Sequence, residues 1–159
     1  MTRGQETRGS ARVALAGWEA LMSAHRGLSK IFGAEDHVWH ELSMKEYDVL
    51  YTLAKADGPL RLCDLSEGVL LSQPALSRMV DRLVDRELIH RSPDPEDGRA
   101  VRLSLTAEGA RLQKEIGWAH GRSILREFRD RLNPEDQAEL LRICSLLAAD
   151  SSPEEGSHG

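Results

Sequence analysis

From Leu71 to Leu83 the chain reads Leu-Ser-Gln-Pro-Ala-Leu-Ser-Arg-Met-Val-Asp-Arg-Leu. Leu76, Met79, Val80 and Leu83 recur at the spacing of a helix core face, which leaves Gln73, Ser77, Arg78, Asp81 and Arg82 toward solvent. Their chemistry is that of recognition. A guanidinium such as Arg78 can bond two guanine acceptors at once, worth about 1–3 kcal/mol of discrimination, and an amide such as Gln73 can do the same for adenine. The hydroxyls of Ser72 and Ser77 suit phosphates or base edges. Downstream, Pro93-Asp94-Pro95-Glu96-Asp97-Gly98-Arg99 is a turn cluster with an arginine at its end. A cation on such a tip suits a minor groove, where negative potential is concentrated.

These groups need a scaffold, and the spacing of the rest supplies one. Ser43 and Glu46 fit a capping box, with Leu42 and Tyr47 at the two positions of a hydrophobic staple. Tyr47, Leu50, Tyr51 and Ala54 make the inward face of the helix that follows, and Asp57-Gly58-Pro59 stops it. A short helix around Leu62 to Gly68 follows, and then a helix capped by Ser72, with Pro74 tolerated in its first turn. His90 to Ser92 and Val101 to Leu105 read as two strands flanking the turn, Val101, Leu103 and Leu105 alternating with Arg102, Ser104 and Thr106. This order predicts a mainly α protein with a small β-hairpin wing, a winged helix-turn-helix.

Long helices flank that unit. Trp18, Leu21, His25, Leu28 and Phe32 repeat at 3-4-3-4 spacing in a first helix from about Ala11 to Gly33, with Leu15 and Met22 widening the stripe. Thr106 caps a long helix in which Trp118, Gly121, Leu125, Phe128 and Leu132 repeat the same spacing. Asn133-Pro134-Glu135-Asp136 starts the last helix, striped by Leu140, Leu141, Cys144 and Leu147. Such seams need a partner to cover them. The expected layout is a disordered segment over 1–10, a single unit over 11–150 and a disordered tail over 151–159. Within the unit, 11–40 and 107–150 form the dimerisation helices and 43–106 the winged helix-turn-helix.

Composition narrows the classes further. The formal net charge is −5, which opposes indiscriminate binding to nucleic acid. Residues 61–106 hold seven Lys/Arg against eight Asp/Glu, a net of −1. A DNA surface must therefore arise from where charges point, not from bulk excess. No apolar run reaches the length of a membrane span. The polar start lacks the apolar centre of a signal peptide, so the expectation is a cytoplasmic protein. Paired carboxylates, a nucleophile elbow, a phosphate loop and a metal motif are all missing, which argues against an enzyme. No cofactor is implied.

With this order in place, the chain resembles the MarR family of bacterial transcription regulators. The resemblance rests on Leu-Ser-Gln-Pro-Ala-Leu-Ser-Arg (71–78), Val-Asp-Arg-Leu (80–83), Leu-Ile-His-Arg (88–91), and Asp-Gly-Arg (97–99) with Val-Arg-Leu-Ser-Leu-Thr-Ala-Glu-Gly (101–109), and it spans roughly Trp18 to Leu147. It implies a homodimer, joined through its first, fifth and sixth helices, on a pseudopalindromic double-stranded operator. Ser72, Gln73, Pro74, Ser77, Arg78 and Arg82 would meet the DNA from the helix. Arg99 resembles the family's wing arginine, held in place by Asp97. Arg91 and Arg102 are phosphate contacts or structural pairs.

The resemblance also implies a small, anionic or aromatic effector between the dimer region and the DNA-binding lobe, which would release a repressor. Trp18, Asp48, Arg82 and Arg91 resemble a constellation of the urate-responsive branch, an Asp48–Arg82 structural bridge being the alternative. Trp39, His40, Met44 and Tyr51 can line the same crevice or serve the core. His37 and His40 lie among Glu35, Asp36 and Glu41 but lack the order of a zinc hydrolase. The carboxylate beside Cys63 disfavours a reactive thiolate. Two further readings stand beside the first: a winged-helix module that binds protein and not DNA, motivated by the acidic total, and a redox- or metal-sensing regulator.

Overall fold

The capping box forms as read: the Glu46 backbone N–H donates to Ser43 Oγ (3.2 Å) and the Ser43 N–H donates to Glu46 Oε2 (2.8 Å). It opens one of the helices in a computed structural model that describes residues 3–149. In chain order the elements are α1 (Arg3–Gly33), α2 (Asp36–Trp39), α3 (Met44–Lys55), β1 (Leu60–Arg61), α4 (Leu62–Glu67), α5 (Gln73–Asp85), β2 (Ile89–Pro93), β3 (Val101–Leu105), α6 (Ala107–Arg131) and α7 (Pro134–Ala149). The 151–159 tail lies outside the described residues.

Two elements have no counterpart in the sequence reading. The four residues of α2 and the two of β1 are too short to show a period. Helix α1 also begins at Arg3 and not near Ala11, so residues 3–10 are helical where disorder was expected. Gly4 and Gly9 lower helix propensity there without breaking it, and no proline intervenes.

The chain falls into two compact units, Met1–His120 and Gly121–Gly159, with the boundary inside α6. In the first unit the sheet order is β1-β3-β2, all antiparallel, with Arg61 opposite Arg102 and Arg91 opposite Leu103. Pro93 is accommodated because β2 is an edge strand. The core gathers Val49, Leu50, Leu65, Leu76, Val80, Leu83, Leu103 and Ile116, each almost fully buried. Helix α3 packs against β3, α4 and α5. Its buried arc is therefore Tyr47, Val49, Leu50 and Leu53, and Tyr51 and Ala54 turn outward, contrary to the expected inward face.

A close joint ties the sheet to α6. Thr106 caps α6 by accepting from the Gly109 N–H (2.9 Å), while its hydroxyl donates to the Glu87 carbonyl (2.7 Å). Gly109 passes so near that a Cβ there would lie 2.0 Å from the Leu88 carbonyl oxygen. Glu87 itself has φ 57°, in the left-handed region. In the second unit, Asn133 caps α7, its Oδ1 accepting from the Asp136 N–H (2.8 Å). Helix α7 buries none of its residues within the single chain, and Leu141 and Leu147 are more than 60% exposed.

Candidate nucleic-acid interface

Helix α5 presents two faces with different work. Leu76, Met79, Val80 and Leu83 are buried and anchor it to the core. Ser72, Gln73, Pro74, Arg78, Asp81 and Arg82 are exposed, and Ser77 is half-buried. Ser72 stands at the N-cap, but its side chain makes no capping bond there, contrary to expectation. Its hydroxyl is thus left for an oxygen anion, while Pro74 in the first turn offers no N–H and the Leu76 N–H is taken by the Ser72 carbonyl.

Residues 61–106 contain seven cations, all arginines, and the structure sorts them. Arg82 Nε lies 3.9 Å from Glu46 Oε1, and Arg86 Nη2 lies 3.8 Å from Glu41 Oε2. Arg91 donates to Asp81 across from β2 to α5. Arg61 Nε and Arg102 Nε both donate to Asp94 Oδ2, at 2.7 and 2.9 Å. Arg78 and Arg99 remain: both are exposed, and neither guanidinium has an ion-pair partner among the described residues. One lies on the outer face of α5, the other at the tip of the β2–β3 hairpin.

Several expected pairings differ. Asp97 does not grip the Arg99 side chain; its Oδ1 accepts from the Arg99 backbone N–H (3.0 Å) and so shapes the turn. Arg82 pairs with Glu46, not with Asp48. Arg91 and Arg102 are held as structural pairs. Asp94 was missed as a site residue. Its side chain is wholly shielded from solvent, and Arg61 above all holds its carboxyl well below the usual carboxylate range. The signal was present: an aspartate two and three residues ahead of free backbone N–H groups is a turn former.

The expected effector residues do not converge. Asp48 lines a cavity of about 320 Å³ with His25, Ser29, Lys45 and Leu71. Asp48 is exposed, yet desolvation by the surrounding protein raises its pKa. Trp39 and His40 line a second cavity of about 460 Å³, and Tyr51 a third of about 300 Å³ with Trp118 and Lys114. Trp39 is a core residue whose Nε1–H donates to the Phe32 carbonyl (2.6 Å). Trp18 is 59% exposed on α1 and borders none of these cavities. His40 Nε2 lies 3.6 Å from Glu115. Cys63 and Cys144 are both exposed free thiols, so Cys144 is not a core residue of the single chain.

Comparison with known proteins bears on this arrangement. The family model for the MarR family matches residues 42–101, the segment from α3 to the start of β3. The chain is 30% identical over 108 residues to the HTH-type transcriptional repressor MdtR of Bacillus subtilis (strain 168), covering 67% of this chain and 69% of that one. The chain belongs to the MarR family. It is accordingly a DNA-binding transcriptional regulator, not an enzyme. Two solved structures share the MarR fold. A MarR family transcriptional regulator from Streptomyces coelicolor, in complex with DNA, superposes with a TM-score of 0.75 at 24% identity, covering 90% of each chain. The PcaV transcriptional regulator of the same organism, in complex with its natural ligand, gives 0.64 at 28% identity, covering 84% of this chain and 90% of that one. Among the described residues, no helix of the chain is long and apolar enough to cross a membrane.

Proposed function

We propose that this protein is a homodimer that binds a pseudopalindromic operator sequence-specifically and represses transcription until a small effector releases it. In this reading α5 enters the major groove and the hairpin tip the adjoining minor groove. The carrying observation is the pair of exposed guanidiniums at Arg78 and Arg99, without an ion-pair partner among the described residues, on the two elements that such docking brings to DNA. Arg78 reads a base edge and Arg99 the minor groove; Ser72, Gln73, Pro74 and Ser77 settle the helix against backbone and bases. Arg82, Arg91 and Arg102 stand behind them as paired supports. The division into dimerisation helices (11–40 and 107–150) and a DNA-binding lobe (43–106) belongs to the same reading.

The homodimer is supported by apolar side chains that a single chain leaves uncovered. Val13, Leu15 and Trp18 on α1 are each more than half exposed, as are Leu141, Leu146 and Leu147 on α7. Unburied apolar faces of this extent call for a partner surface, and a twofold dimer sets two recognition helices about one DNA turn apart.

The cavity at Asp48 is the effector site in this reading, because its wall includes Leu71, the residue before the Ser72 cap. An occupant that favours one position of that turn shifts the start of α5, and it acts only through its difference in affinity for the two positions. Selection from random duplexes, then titration of wild type, Arg78→Ala and Arg99→Ala, tests the DNA reading. Each substitution should weaken operator binding, Arg78→Ala by about 5- to 150-fold. Unchanged affinity in both would refute it. Benzoate and salicylate added during the titration test the release.

A further inference from the structure

A buried carboxylate at the root of the hairpin does more than stabilise a turn. Asp94 Oδ2 receives Arg61 Nε (2.7 Å) and Arg102 Nε (2.9 Å), while Oδ1 receives the backbone N–H groups of Glu96 (2.8 Å) and Asp97 (3.2 Å). Its own N–H donates to the Ala100 carbonyl (3.0 Å), which closes the tip. Glu96 Oε2 takes the second nitrogen of each arginine, at 3.7 and 3.8 Å. Two cations and two anions thus cancel at the hairpin root. Asp97, positioned by Asp94, in turn accepts the Arg99 backbone N–H. The direction in which Arg99 leaves the tip is set two hydrogen bonds away from Asp94.

We propose that Asp94 is a positioning and specificity-determining residue for DNA recognition. It aims Arg99, and it withdraws Arg61 and Arg102 from the phosphates that would otherwise attract them on any sequence. Phosphate contacts raise affinity without regard to sequence, whereas an aimed groove contact discriminates. Removing the carboxylate therefore has opposite effects on the two kinds of DNA. The tip loses its fixed geometry and operator affinity falls, while two released guanidiniums tighten binding to unrelated DNA. The inference rests on the wing reading of Arg99 given above.

The test is a double-mutant cycle on the full chain: wild type, Asp94→Asn, Arg99→Ala and the double variant, each titrated by anisotropy with the selected operator and an unrelated duplex over a salt series. Asp94→Asn should weaken operator binding about tenfold, the order expected for one charge-assisted contact. On unrelated DNA it should bind more tightly, with a salt slope steeper by about 1.8 for two added phosphate contacts. The double variant should bind the operator no worse than Arg99→Ala alone. Simple loss of folded protein would weaken both duplexes together, so a rise on unrelated DNA separates positioning from misfolding. Arg61→Gln, which leaves Arg102 and both backbone bonds on Asp94, should bind the operator with an affinity between those of wild type and Asp94→Asn. Additive losses in the cycle, or unchanged operator affinity for Asp94→Asn, would overturn the role of Asp94 while leaving Arg99 in place. If Arg99→Ala alone has no effect on the operator, the wing reading fails and the role assigned to Asp94 fails with it.

Discussion

Asp81→Asn isolates what one ion pair withholds from DNA. Asp81 sits on the outer face of α5 with its side chain 52% exposed, and it holds Arg91, whose side chain is 39% exposed. The substitution removes an anion from the recognition face and releases a cation beside it, so residues 61–106 pass from −1 to zero net charge. The loss of a half-exposed pair costs only about 0–1 kcal/mol, so the folded state survives it. A released Arg91 adds about one phosphate contact, which steepens the slope of log K against log salt by about 0.9. Over a fourfold salt change, from about 50 to 200 mM, the advantage of the variant then shrinks by roughly 3.5-fold. Anisotropy titrations on operator and unrelated duplexes at four salt concentrations would measure this. The gain should be equal on both, because phosphates carry no sequence information. An unchanged slope would refute the argument. So would a selective loss on the operator, since a carboxylate that accepts from a cytosine amine would be reading a base.

Three further expectations concern the scaffold. Gly109→Ala would force a Cβ against the Leu88 carbonyl, and urea unfolding should show a loss of about 1–3 kcal/mol. Glu87→Gly relieves a left-handed backbone at φ 57°; the relief of about 1–2 kcal/mol, less about 0.5–1 for glycine's added freedom, should leave a small net gain in thermal stability. His120 lies among Phe32, Trp39 and Tyr47, with ring centroids 5.1, 4.7 and 6.0 Å away. Burial lowers its pKa, against the opposing charge of Glu35. The unfolded chain therefore takes up a proton first, and the stability present at pH 7 is lost as pH falls below the ordinary value of 6.5. His120→Phe should reduce the stability lost between pH 7 and 5 in chemical unfolding; an equal loss in both proteins would exclude His120 as its source.

Local signals carried much of this protein. The Ser43–Glu46 box, the Thr106 and Asn133 caps and the buried row Leu76, Met79, Val80 and Leu83 all follow from spacing along a few turns of chain, and all are present. Such features depend on neighbours three or four residues apart, which is the range over which helix geometry is fixed. The hairpin tip was equally legible, because proline, aspartate and glycine restrict the backbone by themselves.

What only the tertiary structure decided is which charges are free. Arg61 reaches Asp94 across 33 residues and Arg91 reaches Asp81 across 10. Nothing in either sequence neighbourhood names the partner. Among the described residues, those pairings leave Arg78 and Arg99 without an ion-pair partner while the five other arginines of 61–106 are paired. The rotation of α3 that exposes Tyr51, and the scattering of Trp39, His40 and Asp48 over separate cavities, have the same origin. Periodicity says which side of a helix is apolar; which neighbour covers it, and which cation meets which anion, is settled only when distant elements pack.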